Sequence, residues 1–84
     1  MAAVPVFYYR NGCHLCEAMA ALLFHGWPEK AEIMEWRDVD LRTDWREAYG
    51  ELVPVLMQGE QTICTLRPDP ARIAQYFGEM ANPV

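Results

Sequence analysis

The sequence predicts a single α/β domain with the element order βαβαββα, in which a mixed four-stranded sheet is flanked by three helices. The chain has 84 residues, 52% of them apolar, which is enough for one hydrophobic core but too short for two. Short runs of β-branched and aromatic residues alternate with stretches in which apolar residues recur at helical spacing. No repeat, low-complexity tract or flexible linker interrupts this alternation. We therefore expect one domain over residues 1–84.

The first strand and the first helix are predicted from the N-terminal third of the chain. Residues 4–9 (VPVFYY) form a short β-rich segment, and the helix follows from about residue 13 to residue 24. His25 suits the negative end of the helix dipole, Gly26 can cap the helix, and Pro28 prevents its continuation. The first helix is therefore expected to end before residue 28.

A second strand and a second helix are predicted in the middle of the chain. Residues 33–39 are rich in strand formers, and Thr43 can cap a helix that ends near Gly50. Apolar side chains predicted to share one face of this helix are Leu41, Trp45, Ala48, Tyr49 and Leu52.

The last third of the chain predicts a β-hairpin and a final helix. Residues 53–57 and 62–66 flank a short polar segment with Gly59, which is typical of two antiparallel strands. Asp69 and Pro70 form a cap and first-turn pair for a helix that packs Ile73 and its apolar neighbours. Since a strand–helix–strand crossover is normally parallel, the first two strands should pair in parallel.

Charge and hydropathy exclude several classes of partner. The net charge of -5 predicts repulsion from phosphate backbones and anionic membrane surfaces, so we expect neither nucleic acid nor a membrane as partner. No apolar run approaches the roughly 20 residues of a membrane span, and the first residues lack the basic start of a secretory signal. We expect a cytoplasmic location and a monomer.

Two cysteines, Cys13 and Cys16, lie between the first strand and the first helix. In a reducing compartment, a C-x-x-C pair is more often catalytic or metal-binding than structural. The positive end of the helix dipole favours a thiolate at Cys13, which predicts that this residue is the nucleophile. Cys16 lies one turn further on the same face and can resolve a mixed disulfide.

Three neighbouring residues are candidates for tuning the dithiol or contacting its substrate. Arg10 adds a positive charge that could favour the thiolate or hold an anionic substrate. His14, when protonated, would favour the thiolate and make the disulfide more oxidising. Leu15 offers an apolar contact to a substrate chain.

The chain resembles the thioredoxin fold and, within it, the small glutaredoxin-like proteins. The matching residues are 7–16 (FYYRNGCHLC), the strand end 38–40 (DVD), and residues 49–56 with Val53 and Pro54. The resemblance implies a thioredoxin-like fold, a cis peptide bond before Pro54 beside the dithiol, and a backbone contact between Val53 and the substrate.

The sequence departs from this family at the positions that would hold glutathione. Glutaredoxins usually have Pro-Tyr between the cysteines, where this chain has His14 and Leu15. They also have a Gly-Gly pair followed by an acid, where this chain has residues 63–67 (ICTLR). We therefore expect no bound cofactor. Glutathione remains a candidate reductant with an incomplete binding motif, beside a donor of the thioredoxin-reductase type.

Three functions remain open on these residues. The first is a thiol–disulfide oxidoreductase acting on disulfides of proteins or small molecules. The second is a metal-binding module using Cys13, Cys16, Cys64 and His14 or His25, although no second C-x-x-C completes a zinc site. A variant of it is an iron–sulfur cluster shared by two chains, with glutathione as an extra ligand. The third is an interaction domain with a vestigial dithiol. We expect Cys64 to pack in the core, because free cysteine is among the most buried residue types.

Overall fold

A computed structural model describes residues 3–82 of the chain. Over these residues the elements are β1 (Pro5–Tyr9), α1 (His14–Gly26), α2 (Pro28–Ile33), β2 (Glu35–Asp38), a 3₁₀ turn (Val39–Leu41), α3 (Thr43–Tyr49), β3 (Val55–Gln58), β4 (Gln61–Thr65) and α4 (Pro70–Phe77).

The strands form one mixed four-stranded sheet in the order β2-β1-β3-β4. β1 pairs with β2 in parallel and with β3 antiparallel, and β3 and β4 form the predicted hairpin. Phe7 of β1 is paired with Trp36 on one side and Leu56 on the other. The predicted fold class is therefore confirmed. The carboxyl ends of β1 and β2 lie at the same edge of the sheet.

The expectation of three helices is wrong in number, since residues 3–82 contain four α-helices. Pro28 ends α1, as predicted, but it also begins α2 at the position where a helix tolerates proline best. Trp27, with φ -137° and ψ 63°, separates the two helices. The same proline thus stops one helix and starts the next.

The middle of the chain also differs from the prediction. β2 covers Glu35–Asp38 rather than residues 33–39. Arg42, not Thr43, occupies the cap position of α3, and no side chain caps this helix. Trp45 and Tyr49 are half-buried, but the other members of the predicted apolar face are exposed: Leu41, Ala48 and Leu52. A helix of seven residues is too short to bury a continuous stripe.

Two clusters of buried side chains stabilise the fold. The larger cluster consists of Phe7, Met19, Leu23, Trp27, Met34, Leu56, Ile63 and Ile73. α4 contributes Ile73 and begins as predicted, because the Asp69 carboxylate accepts the Arg72 backbone N–H at 3.2 Å. The smaller cluster consists of Tyr8, Cys16, Val39, Val53 and Val55, and Cys13 packs against it. The smaller cluster therefore brings both dithiol cysteines and Val53 together.

Candidate dithiol site

Cys13 is the N-cap of α1, between the end of β1 and the first helical turn. Its backbone is extended, and its Sγ accepts the backbone N–H of Cys16 at 3.2 Å. The N–H groups of the first turn have no partner within their own helix, so this contact satisfies one of them. Cys13 is half-buried, and both cysteines are free thiols.

Cys16 lies beneath the surface, with 3% of its area exposed. Burial raises the pKa of its thiol to about 12, and the neighbouring Cys13 side chain raises it further by hydrogen bonding and charge. The backbone and the positive charge of Arg10 act in the opposite direction. Cys16 is therefore protonated at neutral pH in the reduced protein.

A shallow cleft of about 200 Å³ opens beside Cys16. Its walls include the aromatic side chains of Phe7, Tyr9 and Trp36. Asn11 and Gly12, from the loop that precedes Cys13, line its other side. The buried thiol therefore lies next to a largely apolar opening in the surface.

The Val53–Pro54 peptide bond is cis, as the resemblance implies. Val53 packs in the same cluster as Cys16, and Pro54 is fully buried. Within residues 3–82 the backbone of Val53 makes no hydrogen bond, whereas the carbonyl oxygens of Leu52 and Pro54 both accept the Leu66 N–H, at 3.2 and 2.9 Å. Val53 therefore offers a free backbone donor and acceptor next to the dithiol.

Three exposed leucines lie in the segments that form this site. Leu15 is 44% exposed between the cysteines, and Leu52 and Leu66 are 42% and 43% exposed beside the cis bond. Leu66 has a φ of 67°, in the left-handed region that side chains other than glycine rarely adopt. Leu52 belongs to the predicted apolar helix face, and the sequence predicts no role for Leu66. No local pattern distinguishes either residue.

The side chain of His14 is turned to solvent. It is 98% exposed, and its Nδ1 lies 3.7 Å from the Glu17 carboxylate. Redox tuning by His14 stays a prediction.

Arg10 forms an ion pair with an aspartate in the 3₁₀ turn that follows β2. Its Nε and Nη2 donate to the two carboxylate oxygens of Asp40 at 3.1 and 3.2 Å, and its Nη1 donates to the Gly50 carbonyl at 3.3 Å. Asp38, which is 9% exposed, accepts the Asn11 side-chain amide at 3.0 Å and the Asp40 backbone N–H at 2.9 Å. Two acids at a strand end are visible in the sequence, but their partners 27 and 30 residues away are not.

Cys64 lies on β4, opposite Leu56, and packs at the periphery of the larger core cluster. It is half-buried, so the expected core packing is only partial. Burial raises the pKa of its thiol, and the backbone N–H of Asp69 acts against this effect. Cys64 belongs to a different cluster from the dithiol.

Neither a metal cluster nor a membrane-crossing helix is found in the described part of the chain. Within residues 3–82, no three His, Cys, Asp or Glu side chains converge as ligands for a metal ion. None of the helices over the same residues has the length and apolarity needed to cross a membrane.

The chain is similar to known proteins over most of its length. The family model of the glutaredoxin-like domain (DUF836) matches residues 6–78. Among solved structures, the solution NMR structure of protein Ne2328 from Nitrosomonas europaea is similar, with 30% sequence identity and a TM-score of 0.68. This similarity covers 92% of our chain and 93% of Ne2328. No curated protein matches the chain.

Proposed function

Because the chain belongs to the family of glutaredoxin-like domains, as the match over residues 6–78 shows, we propose that it is a thiol–disulfide oxidoreductase. Cys13 is the nucleophile and Cys16 the resolving thiol. The observation that carries the proposal is the pairing of an accessible helix-capping sulfur, which accepts the Cys16 N–H at 3.2 Å, with a buried second thiol one turn away.

The reaction transfers two electrons from the dithiol to a disulfide. The Cys13 thiolate attacks one sulfur of the substrate, a new S–S bond forms, and the other half of the substrate leaves as a thiolate. Cys16 then loses its proton and attacks the Cys13 Sγ, which releases the second half of the substrate as a thiolate. The protein ends as the Cys13–Cys16 disulfide, and a thiol donor reduces it again.

The ionisation of Cys16 orders these two steps. In the reduced protein, burial and the adjacent Cys13 sulfur keep the pKa of Cys16 near 12. Once Cys13 is bonded to a substrate sulfur, its negative charge is gone and its contribution to that raised pKa disappears. Cys16 therefore becomes easier to deprotonate only after the mixed disulfide has formed.

The free backbone of Val53 supports recognition of an extended substrate segment. An extended peptide can pair with the unbonded N–H and carbonyl of Val53, in the manner of an added strand. Leu15, Leu52 and Leu66 would contact apolar side chains on either side of the substrate cysteine. This surface suits protein disulfides better than small polar ones.

The remaining features of the proposal concern the donor and the cellular setting. Arg10 is bonded to Asp40 and Gly50, which leaves its guanidinium less available to an anionic group of glutathione. We propose a protein donor of the thioredoxin-reductase type or glutathione itself, no resident cofactor, and a monomer that contacts neither nucleic acid nor membranes. Three cysteines, of which only two form a closable pair, favour the cytoplasm.

The test is reduction of a peptide disulfide with a fluorescence readout by wild-type protein and by three variants. We expect Cys13→Ser to abolish turnover and Cys16→Ser to stop at a trapped mixed disulfide, which mass spectrometry detects. Cys64→Ser is the matched control and should keep full activity, because Cys64 lies outside the dithiol cluster. Full activity of Cys13→Ser, or no exchange by the wild type, would show the proposal to be wrong. The second result would favour a vestigial dithiol.

A further inference from the structure

Two aspartates, one at the end of β2 and one in the 3₁₀ turn after it, bind the loop before Cys13. Asp38 accepts the Asn11 side-chain amide at 3.0 Å, and Asp40 binds the Arg10 guanidinium through two hydrogen bonds. Asp38 also accepts the Asp40 backbone N–H at 2.9 Å, which orients the second aspartate. Arg10 and Asn11, the two residues that these aspartates bind, lie within three positions of Cys13.

Arg10 is fixed at three points rather than one. Isolated surface ion pairs contribute little, but a two-point carboxylate contact is directional, and the Gly50 carbonyl adds a third bond at 3.3 Å. A Cβ at Gly50 would lie 2.5 Å from the Arg46 carbonyl oxygen and 3.3 Å from Arg10 Nη2, so the lack of a side chain there leaves room for the guanidinium. The three contacts hold the guanidinium beside the loop that precedes Cys13.

We propose that Asp40, oriented by Asp38, is a positioning residue that holds Arg10 next to the dithiol and thereby speeds the attack of Cys16 on the mixed disulfide. The inference rests on the proposed function, since it assigns a role within the resolving step. Arg10 and Cys16 line the same cleft. Arg10 is also the cation that acts against the raised pKa of Cys16, and attack requires that this buried thiol lose its proton.

The experiment uses 2,2′-dithiodipyridine, a neutral disulfide that separates the two chemical steps. Attack by Cys13 releases one pyridine-2-thione at a rate proportional to reagent concentration. Attack by Cys16 then releases the second at a rate independent of reagent concentration. All proteins carry Cys64→Ser, so that only the dithiol reacts. Cys16→Ser identifies the second phase by abolishing it.

We expect Arg10→Gln and Asp40→Asn each to slow the second phase at least about threefold, the effect of half a pKa unit on the thiolate population. The first phase should slow less than the second. Because both changes disable the same contact, the double variant should be no slower than either single variant. The matched control is Asp44→Asn, since Asp44 binds Arg42 with the same two-point geometry on α3. This control should leave both phases unchanged.

Each outcome is decisive for one of the two claims. Absence of the first phase in the wild type would refute the proposed function itself. A normal first phase with an unchanged or faster second phase in Asp40→Asn would overturn the positioning role alone, as would equal slowing of both phases. If Asp40→Asn does not fold, Asp40→Glu replaces it, because it keeps the charge but moves the carboxylate that binds the Arg10 guanidinium. Selective slowing of the second phase again supports the proposal, and any other pattern overturns it.

Discussion

The ionisation of Cys16 can be tested directly by titration. Its thiol pKa is raised from 9.0 to about 12, first by burial and then by the Cys13 side chain. At pH 10 a thiol with pKa 9.0 is about 90% ionised, whereas one with pKa near 12 is about 1% ionised. The reduced protein should therefore keep Cys16 protonated across the whole neutral and mildly alkaline range.

The assay is the pH dependence of the Cys16 ¹³Cβ chemical shift in protein labelled at cysteine Cβ. We expect no change up to pH 10 in the wild type, and a midpoint near 9 in the same protein unfolded by urea. Cys13→Ala removes the hydrogen bond and the charge of the neighbouring sulfur but leaves burial in place. Its midpoint should fall below that of the wild type and stay above 9. A wild-type midpoint below 10, or no difference between the two proteins, would refute this account of the ordered mechanism.

Three further predictions concern stability. The unfolded chain loses the Cys16 proton before the folded chain does, so the free energy of unfolding should be level below pH 9 and then fall by up to about 1.4 kcal/mol per pH unit. Urea melts of reduced protein at pH 7, 9 and 10 should show this decline, and Cys16→Ala should lessen it. Leu66→Gly should increase the free energy of unfolding by about 1 kcal/mol, because glycine adopts a φ of 67° without steric cost. Thermal melts should show a higher midpoint, and a lower one would contradict this. Trp27→Phe should cost about 1–2 kcal/mol in urea melts, since the indole N–H donates to the Gly78 carbonyl at 2.7 Å, and unchanged stability would argue against that bond.

Local patterns predict the four strands, three of the four α-helices in residues 3–82 and the place of the dithiol. Cys13 lies at the start of a helix, as predicted, because the strand before it and the apolar repeat after it are both visible within a few residues. Asp69 is recognisable as a cap for the same reason. Local signals predict only that Pro28 stops a helix, because its role in starting α2 depends on the turn at Trp27 that separates the two helices.

Side-chain burial and contacts between residues far apart in the chain cannot be predicted from local patterns in this way. By their spacing, Leu41 and Leu52 fit the apolar face of a helix. However, α3 covers only Thr43–Tyr49, so both leucines lie outside it, and both are exposed. Similarly, the sequence shows the positive charge of Arg10 but not its pairing with Asp40, which lies 30 residues away. Spacing along a chain says which residues share a face, but not whether another element covers that face.

Local sequence patterns predict the four strands, the parallel first pair, the hairpin and the dithiol at a helix start, because each depends on contacts within one element or between neighbouring elements. The difference between the two thiols arises only when the chain is folded. Cys16 becomes the buried partner because Tyr8, Val39 and Val53 enclose it from three separate segments. Desolvation depends on that enclosure, so the chemistry of the second cysteine is a property of the folded chain rather than of the motif.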